Sequence, residues 1–165
     1  MRFRFRRLDE GDAEAWQRLL REGARDFPLG FIASQDDVVP DDLERCGSIL
    51  QFGGTFGVFE NGLLIGVCGY QRFRLQRVGH RAEVGPFYVT AARQGSGAAD
   101  CLMSGIKEIA AEAGVDLLEL AVDTENHRAI AFYERHGFRR FGLHEDAVRI
   151  NGECRDDYLY SLRLS

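Results

Sequence analysis

No stretch of this 165-residue chain is apolar for long. The longest nearly apolar run, Leu63 to Tyr70, falls far short of the roughly 20 residues that a membrane-spanning helix needs. Positive charge is not in excess either: 21 Lys and Arg stand against 26 Asp and Glu, a formal charge of -5. Wholesale coating of nucleic acid requires the opposite balance, although one local anion site remains compatible with it. The four cysteines, Cys46, Cys68, Cys101 and Cys154, are scattered, with no CxxC pair and no Cys/His cluster. That spacing argues against a disulfide framework and against a metal site, and its default compartment is a reducing, cytoplasmic one. The basic start, Met1 to Leu8, has no apolar segment behind it, so it does not read as a secretory signal. Its Phe/Arg alternation reads as a strand with Phe3 and Phe5 turned inward. Internal repeats, low-complexity tracts and linkers are also missing, which predicts a single domain over residues 1–165.

Hydrophobic residues make up 45% and charged residues 28%, a balance that suits a folded domain. Asp9 to Gly23 reads as a helix, with Trp16, Leu19, Leu20 and Gly23 on one face. Phe27 to Pro40 reads as a loop, and Asp41 to Cys46 as a short helix. Asn61-Gly62 between Phe52–Glu60 and Leu63–Phe73 is a strong hairpin signal, because both turn positions take positive φ. His80 to Val89 is a strand interrupted by Pro86, which cannot donate to a ladder. Ser96 to Ala113 steps its apolar residues at helical spacing and ends at Gly114. A strand at Leu117–Val122, a helix at Asn126–His136 and strands at Phe138–Leu143 and Tyr158–Leu164 follow. The expected fold is mixed α/β, a mostly antiparallel sheet of about six or seven strands with helices on both faces.

The densest chemical signal lies between Val89 and Ala99. A strand runs through Thr90-Ala-Ala-Arg-Gln94-Gly-Ser-Gly97-Ala-Ala99 into a helix. Unpaired amides and the positive end of the helix dipole make such a start a candidate phosphate cradle, and the small residues let an anion come close. Taken alone, the same residues equally describe a tightly packed turn. The segment lacks the GxGxxG of a dinucleotide fold and the Gly-Lys-Ser/Thr of a P-loop.

Two blocks together resemble the GNAT superfamily of N-acetyltransferases. Gln94-Gly95-Ser96-Gly97-Ala98-Ala99 fits that family's Gln/Arg-x-x-Gly-x-Gly/Ala loop. Asn126, Ala129, Phe132-Tyr133-Glu134 and Gly137-Phe138 follow in the order of its second block. The resemblance implies acetyl-CoA as co-substrate, without a metal. The amides of Gly95, Ser96, Gly97, Ala98 and Ala99 would hold its pyrophosphate, and the backbone of Phe87, Tyr88 and Val89 would pair with pantetheine. Asn126 would cap its helix and face the cofactor, and Pro86 would mark where this strand parts from Leu117–Val122. The chain departs from the pattern at Ala91, where Pro is common, and at Gln94, where Arg is more common.

The same resemblance implies Tyr133 as the acid that protonates the departing thiolate and Glu83 as the base that deprotonates the amine, with His80 as the fallback. Each has a plainer reading: Tyr133 as a packing residue, and Glu83 as an exposed strand residue paired with Arg81 or Arg139. His127, His136, His144 and Cys101 read as structural or surface residues, and Glu119 as cleft-lining or peripheral. The acceptor, a small-molecule or peptide amine, would meet the Phe27–Phe31 loop, the Asp36-Asp37 and Asp41-Asp42 stretch, and the His144–Asp157 region. Its acidic residues suit a cationic amine. A catalytically silent acyl-CoA sensor is the alternative of another class. An aminoacyl-tRNA-acetylating toxin is disfavoured by the acidic balance. A homodimer is compatible with the family.

Overall fold

The computed structural model describes residues 1–164. Its strands are β1 (Arg4–Arg7), β2 (Thr55–Glu60), β3 (Leu63–Arg72), β4 (Arg81–Val89), β5 (Leu117–Asp123), β6 (Arg139–Ile150) and β7 (Glu153–Arg163). Its α-helices are α1 (Ala13–Asp26), α2 (Leu43–Phe52), α3 (Ala98–Glu112) and α4 (His127–Arg135). The strands form one sheet in the order β1-β2-β3-β4-β5-β7-β6. Every pairing is antiparallel except β4 with β5, so the expected mixed, mostly antiparallel sheet is what forms, with one parallel pairing.

Helices cover both faces because the strands alternate. Val58, Cys68, Ala82, Leu118 and Tyr160 face α3, whose Leu102, Met103 and Ile106 are fully buried. Leu64, Val67 and Tyr88 face the other way, onto Trp16, Leu19 and Leu50 of α1 and α2. Each buried leucine contributes about 1.5–3 kcal/mol by leaving water. Gly105 of α3 is required by closeness, since a Cβ there would run into the Phe5 ring.

Several boundaries differ from the sequence expectation. The first helix starts later and runs to Asp26, behind a capping box in which Asp9 and Asp12 satisfy each other's backbone. Its entry is fixed further by the fork from Arg6 to Asp12, at 2.7 and 2.9 Å. The second helix reaches further than the expected Asp41–Cys46, taking in Leu50 and also Phe52, which the sequence places at the start of the next strand. Gly53 and Gly54, both at positive φ, end it and release β2. The last two strands also reach further than expected, as a long hairpin closing at Asn151-Gly152, both at positive φ.

Candidate active site

The parallel ladder between β4 and β5 is short: Arg81, Ala82 and Glu83 pair with Leu117, Leu118 and Glu119, and nothing beyond Glu83 pairs across. A bulge on the other side of β4 accompanies this. Cys68 of β3 sits opposite Phe87 and Tyr70 opposite Val84, so Gly85 and Pro86 together face Gly69 alone and β4 carries one extra residue. A bulge sharpens local twist and turns its strand away from a neighbour. Gly69 permits it, because a Cβ there would strike the Gly85 carbonyl. The parting therefore begins at Val84, two residues before the expected Pro86, and it leaves the β5-facing edge of Phe87–Val89 without a ladder partner.

That edge opens into a cavity of about 510 Å³, in the usual size range of ligand sites. Phe87, Tyr88, Val89, Gln94, Gly95, Gly97, Ala99, Asn126, Phe132 and Tyr133 all line it, which brings together most of the residues singled out in the sequence. Ser96 and Ala98 belong to the same turn but spend their amides inside it: Ser96 N–H donates to the Arg93 carbonyl and Ala98 N–H to the Ser96 hydroxyl. Among the described residues, the amides of Gly95, Gly97 and Ala99 make no such bond. Gly95 and Gly97 stand at φ +74° and +92°, a region open to glycine at little cost. A Cβ at Gly95 would meet nothing within 4 Å, so this glycine faces open space. The cradle thus has three free amides at the start of α3.

Gln94 is held from both ends. Its amide donates to the Val89 carbonyl at 3.0 Å, and its oxygen accepts from Arg128. Arg93, next to the loop in sequence, is turned away to the Glu60 carboxylate, which also takes Arg2. Positive charge at the cavity comes instead from α4, through Arg128 and Arg135. The sequence reading missed both, although their spacing of seven residues on one helix was a usable sign that they share a face. Asp100 anchors the other end of this wall, accepting from Arg135 and meeting His136 Nε2, each at 2.8 Å.

Asn126 caps α4, its side-chain oxygen accepting from Ala129 N–H at 3.3 Å. Tyr133 is buried, among the rings of Phe87, Phe132 and Phe138. Its hydroxyl makes no hydrogen bond among the described residues, yet it is not sealed off from the cavity. Burial, with Cys68 nearby, pushes its pKa well above the ordinary phenol value, so it keeps its proton at neutral pH.

Glu83 lies outside that cavity wall. Its neighbours Ala82 and Val84 point into the α3 core, so Glu83 is exposed on the opposite face, level with Gln71 and Glu119. The expected partner Arg81 goes to Glu119 instead, at 2.8 and 3.0 Å. His80 lines a separate groove with Arg72 and Arg74. Tyr133 and Glu83 therefore stand on opposite faces of the parted sheet.

The Acetyltransferase (GNAT) family profile matches residues 14–138. The chain belongs to this family. Among solved structures, an acetyltransferase of the GNAT family from Streptococcus pneumoniae superposes with a TM-score of 0.88 at 21% identity, covering 99% of each chain. A ribosomal-protein-alanine N-acetyltransferase from Brucella melitensis gives 0.84 at 21% identity, over 97% of this chain and 99% of that one. A phosphinothricin acetyltransferase from Sinorhizobium meliloti, solved in complex with acetyl-CoA, gives 0.81 at 16% identity, over 100% and 90%. At these identities the likeness is one of fold. No curated protein sequence matches the chain.

Proposed function

We propose that this GNAT-family chain is an acetyl-CoA-dependent N-acetyltransferase that passes the acetyl group directly to a primary amine. The observation that carries the reading is the unpaired edge of Phe87–Val89 leading into the free amides of Gly95, Gly97 and Ala99. These two features suit the two halves of acetyl-CoA. Amides at a helix start favour a pyrophosphate, and an open strand edge accepts the amide groups of a pantetheine arm as another strand would. Arg128 and Arg135 add the charge that Gln94 does not supply.

When bound, acetyl-CoA supplies an activated acyl group as a thioester. The chain's own residues supply position and proton transfer. A backbone N–H of the Phe87–Val89 segment is available to a developing oxyanion, a form of stabilisation that costs no reorganisation because the strand is already fixed. Tyr133, protonated and without another partner, can donate to a leaving thiolate on the cofactor side. Glu83 stands at the last rung before the strands part, on the other face, where it can draw a proton from the amine through water. A primary amine, with pKa near 10, must lose that proton before it attacks.

Thermal unfolding with acetyl-CoA, and with NAD and ATP as controls, tests the reading. A ligand at about 100 times its Kd adds about 2.7 kcal/mol, so acetyl-CoA alone is expected to raise the unfolding temperature by several degrees. No shift at millimolar acetyl-CoA would reduce the Gln94–Ala99 loop to a packed turn.

A further inference from the structure

We propose that Asp157 holds a second, non-reacting ammonium group of the acceptor, so that the preferred substrates are compact amines carrying two positive charges. The inference rests on the acetyl-transfer reading for the identity of the reacting end, and not for the existence of the site.

Asp157 lies on β7 directly opposite Asp123 of β5 and His144 of β6. It is only 9% exposed, and among the described residues its carboxylate accepts no hydrogen bond and joins no ion pair. Its neighbour Asp123 is fully engaged. Arg155 forks onto it at 2.9 and 2.6 Å, and the Glu125 amide donates at 2.9 Å. The same guanidinium also reaches Glu125 at 2.7 Å, and none of its bonds among the described residues goes to Asp157. A carboxylate this far withdrawn from solvent and without a protein partner is costly to keep, and its oxygens still open onto the space in front of them. Its missing partner has to come from outside the chain.

The space in front of it selects that partner. Asp157 and Asp123 are the acidic groups of a cavity of about 70 Å³, otherwise walled by the Pro28–Ile32 segment, Ala121, Val148 and Ile150. This volume takes a few heavy atoms, enough for an ammonium and its methylene. A phosphate is excluded by charge, and a sugar ring by size. The apolar wall lowers the local dielectric and so strengthens the attraction between a carboxylate and a cation.

The cavity shares Gly30 and Phe31 with the larger one but contains none of Phe87–Val89 and not Tyr133. The two compartments therefore adjoin across the Gly30–Phe31 segment, and the smaller one lies away from the acid and the open strand edge. A nitrogen clamped by a carboxylate is also kept protonated, which is the wrong state for attack. Both points give Asp157 the remote end of the acceptor.

Calorimetric titration of the full chain with putrescine and with pentylamine, in which a methyl replaces one ammonium, tests this. Cadaverine and hexylamine serve as a longer pair. The wild type is expected to bind the diamine of at least one pair about tenfold or more tightly than its monoamine. Asp157→Asn should abolish that preference while keeping the thermal stabilisation by acetyl-CoA. Equal binding of diamines and monoamines by the wild type, or a preference that survives in Asp157→Asn, would overturn the proposal. If Asp157→Asn does not fold, the wild-type comparison alone decides. The titration needs no turnover: loss of acetyl-CoA binding with an intact diamine preference defeats only the transfer reading, and the reverse result defeats only this one.

Discussion

Phe87 and Tyr133 meet edge to face where β4 leaves β5, their ring centroids 6.2 Å apart and their planes at 78°. Phe87 belongs to the open strand edge and Tyr133 to α4, so this contact sets the proposed acid against the segment proposed to carry the acyl group. Removing only the hydroxyl keeps the ring contact, which is worth about 0.5–1.5 kcal/mol beyond burial. Tyr133→Phe is thus expected to keep its fold and its acetyl-CoA affinity while turnover falls at least about tenfold. Paired measurements of kcat and of acetyl-CoA binding check this, and an unchanged kcat would remove Tyr133 from the chemistry.

Gly95 carries the cradle through its backbone alone. Gly95→Ala places a Cβ in the left-handed region at a cost of about 1–2 kcal/mol and puts a methyl into the open space in front of the loop. Acetyl-CoA affinity should fall about tenfold or more. Unfolding temperature with and without acetyl-CoA separates the two effects, since strain lowers both curves and a blocked cradle narrows the gap between them.

Arg128 acts at the same cavity as a charge. Arg128→Ala frees the Gln94 oxygen and removes a cation from α4, so acetyl-CoA binding should weaken several-fold and lose part of its salt dependence. Titrations at low and high ionic strength read this directly. Equal weakening at both would mean that Arg128 only orders Gln94.

The buried carboxyl of Asp157 has a raised pKa, first because burial disfavours its charge and second because Asp123 repels it, with His144 and Arg155 opposing and Asp156 adding to the rise. A group whose folded pKa lies above its unfolded value contributes stability below the unfolded pKa and loses it as pH rises through the folded one. At neutral pH the ionised Asp157 therefore costs stability. Asp157→Asn should unfold at a higher temperature than the wild type at pH 7, with the gain shrinking as pH falls toward about 4. Thermal melts across that range check the sign.

His136 works in the opposite direction along the pH scale. Burial lowers its pKa, and its bond to Asp100 only partly restores it. Because the unfolded chain takes up this proton first, stability should drop as pH falls below about 6.5 toward the folded pKa. His136→Asn should flatten that part of the profile in the same melts.

Much of the frame was legible in the residues. Asn61-Gly62 turns the β2–β3 hairpin at positive φ, and the loop from Val89 to Ala99 leads a strand into a helix. The second helix and the last hairpin were read too short for a local reason. Leu43–Phe52 has only a weak apolar periodicity, and β6 carries a register shift between His144 and Val148, which breaks the alternation that marks a strand. The site was read through its glycines and its tyrosine, whose roles are tied to sequence spacing. Asp157 is legible only as the end of the His144–Asp157 acceptor region, because its significance lies in what it lacks. Only the fold shows that Arg155 goes to Asp123 and Glu125, and that the carboxylate opposite Asp123 is buried without a partner. The turning away of Arg93 toward Glu60 was equally invisible, since β2 and the loop meet only in three dimensions.

Release of free CoA thiol from acetyl-CoA, followed with a thiol reagent across a panel of diamines, amino acids, amino sugars and peptide N-termini, tests the central claim most directly. Release is expected to require both acetyl-CoA and an amine, to rise with amine concentration to saturation, and to fall at least about tenfold in Tyr133→Phe. Tight binding of acetyl-CoA with no amine-dependent release across the panel would contradict it and leave the chain a silent acyl-CoA-binding protein.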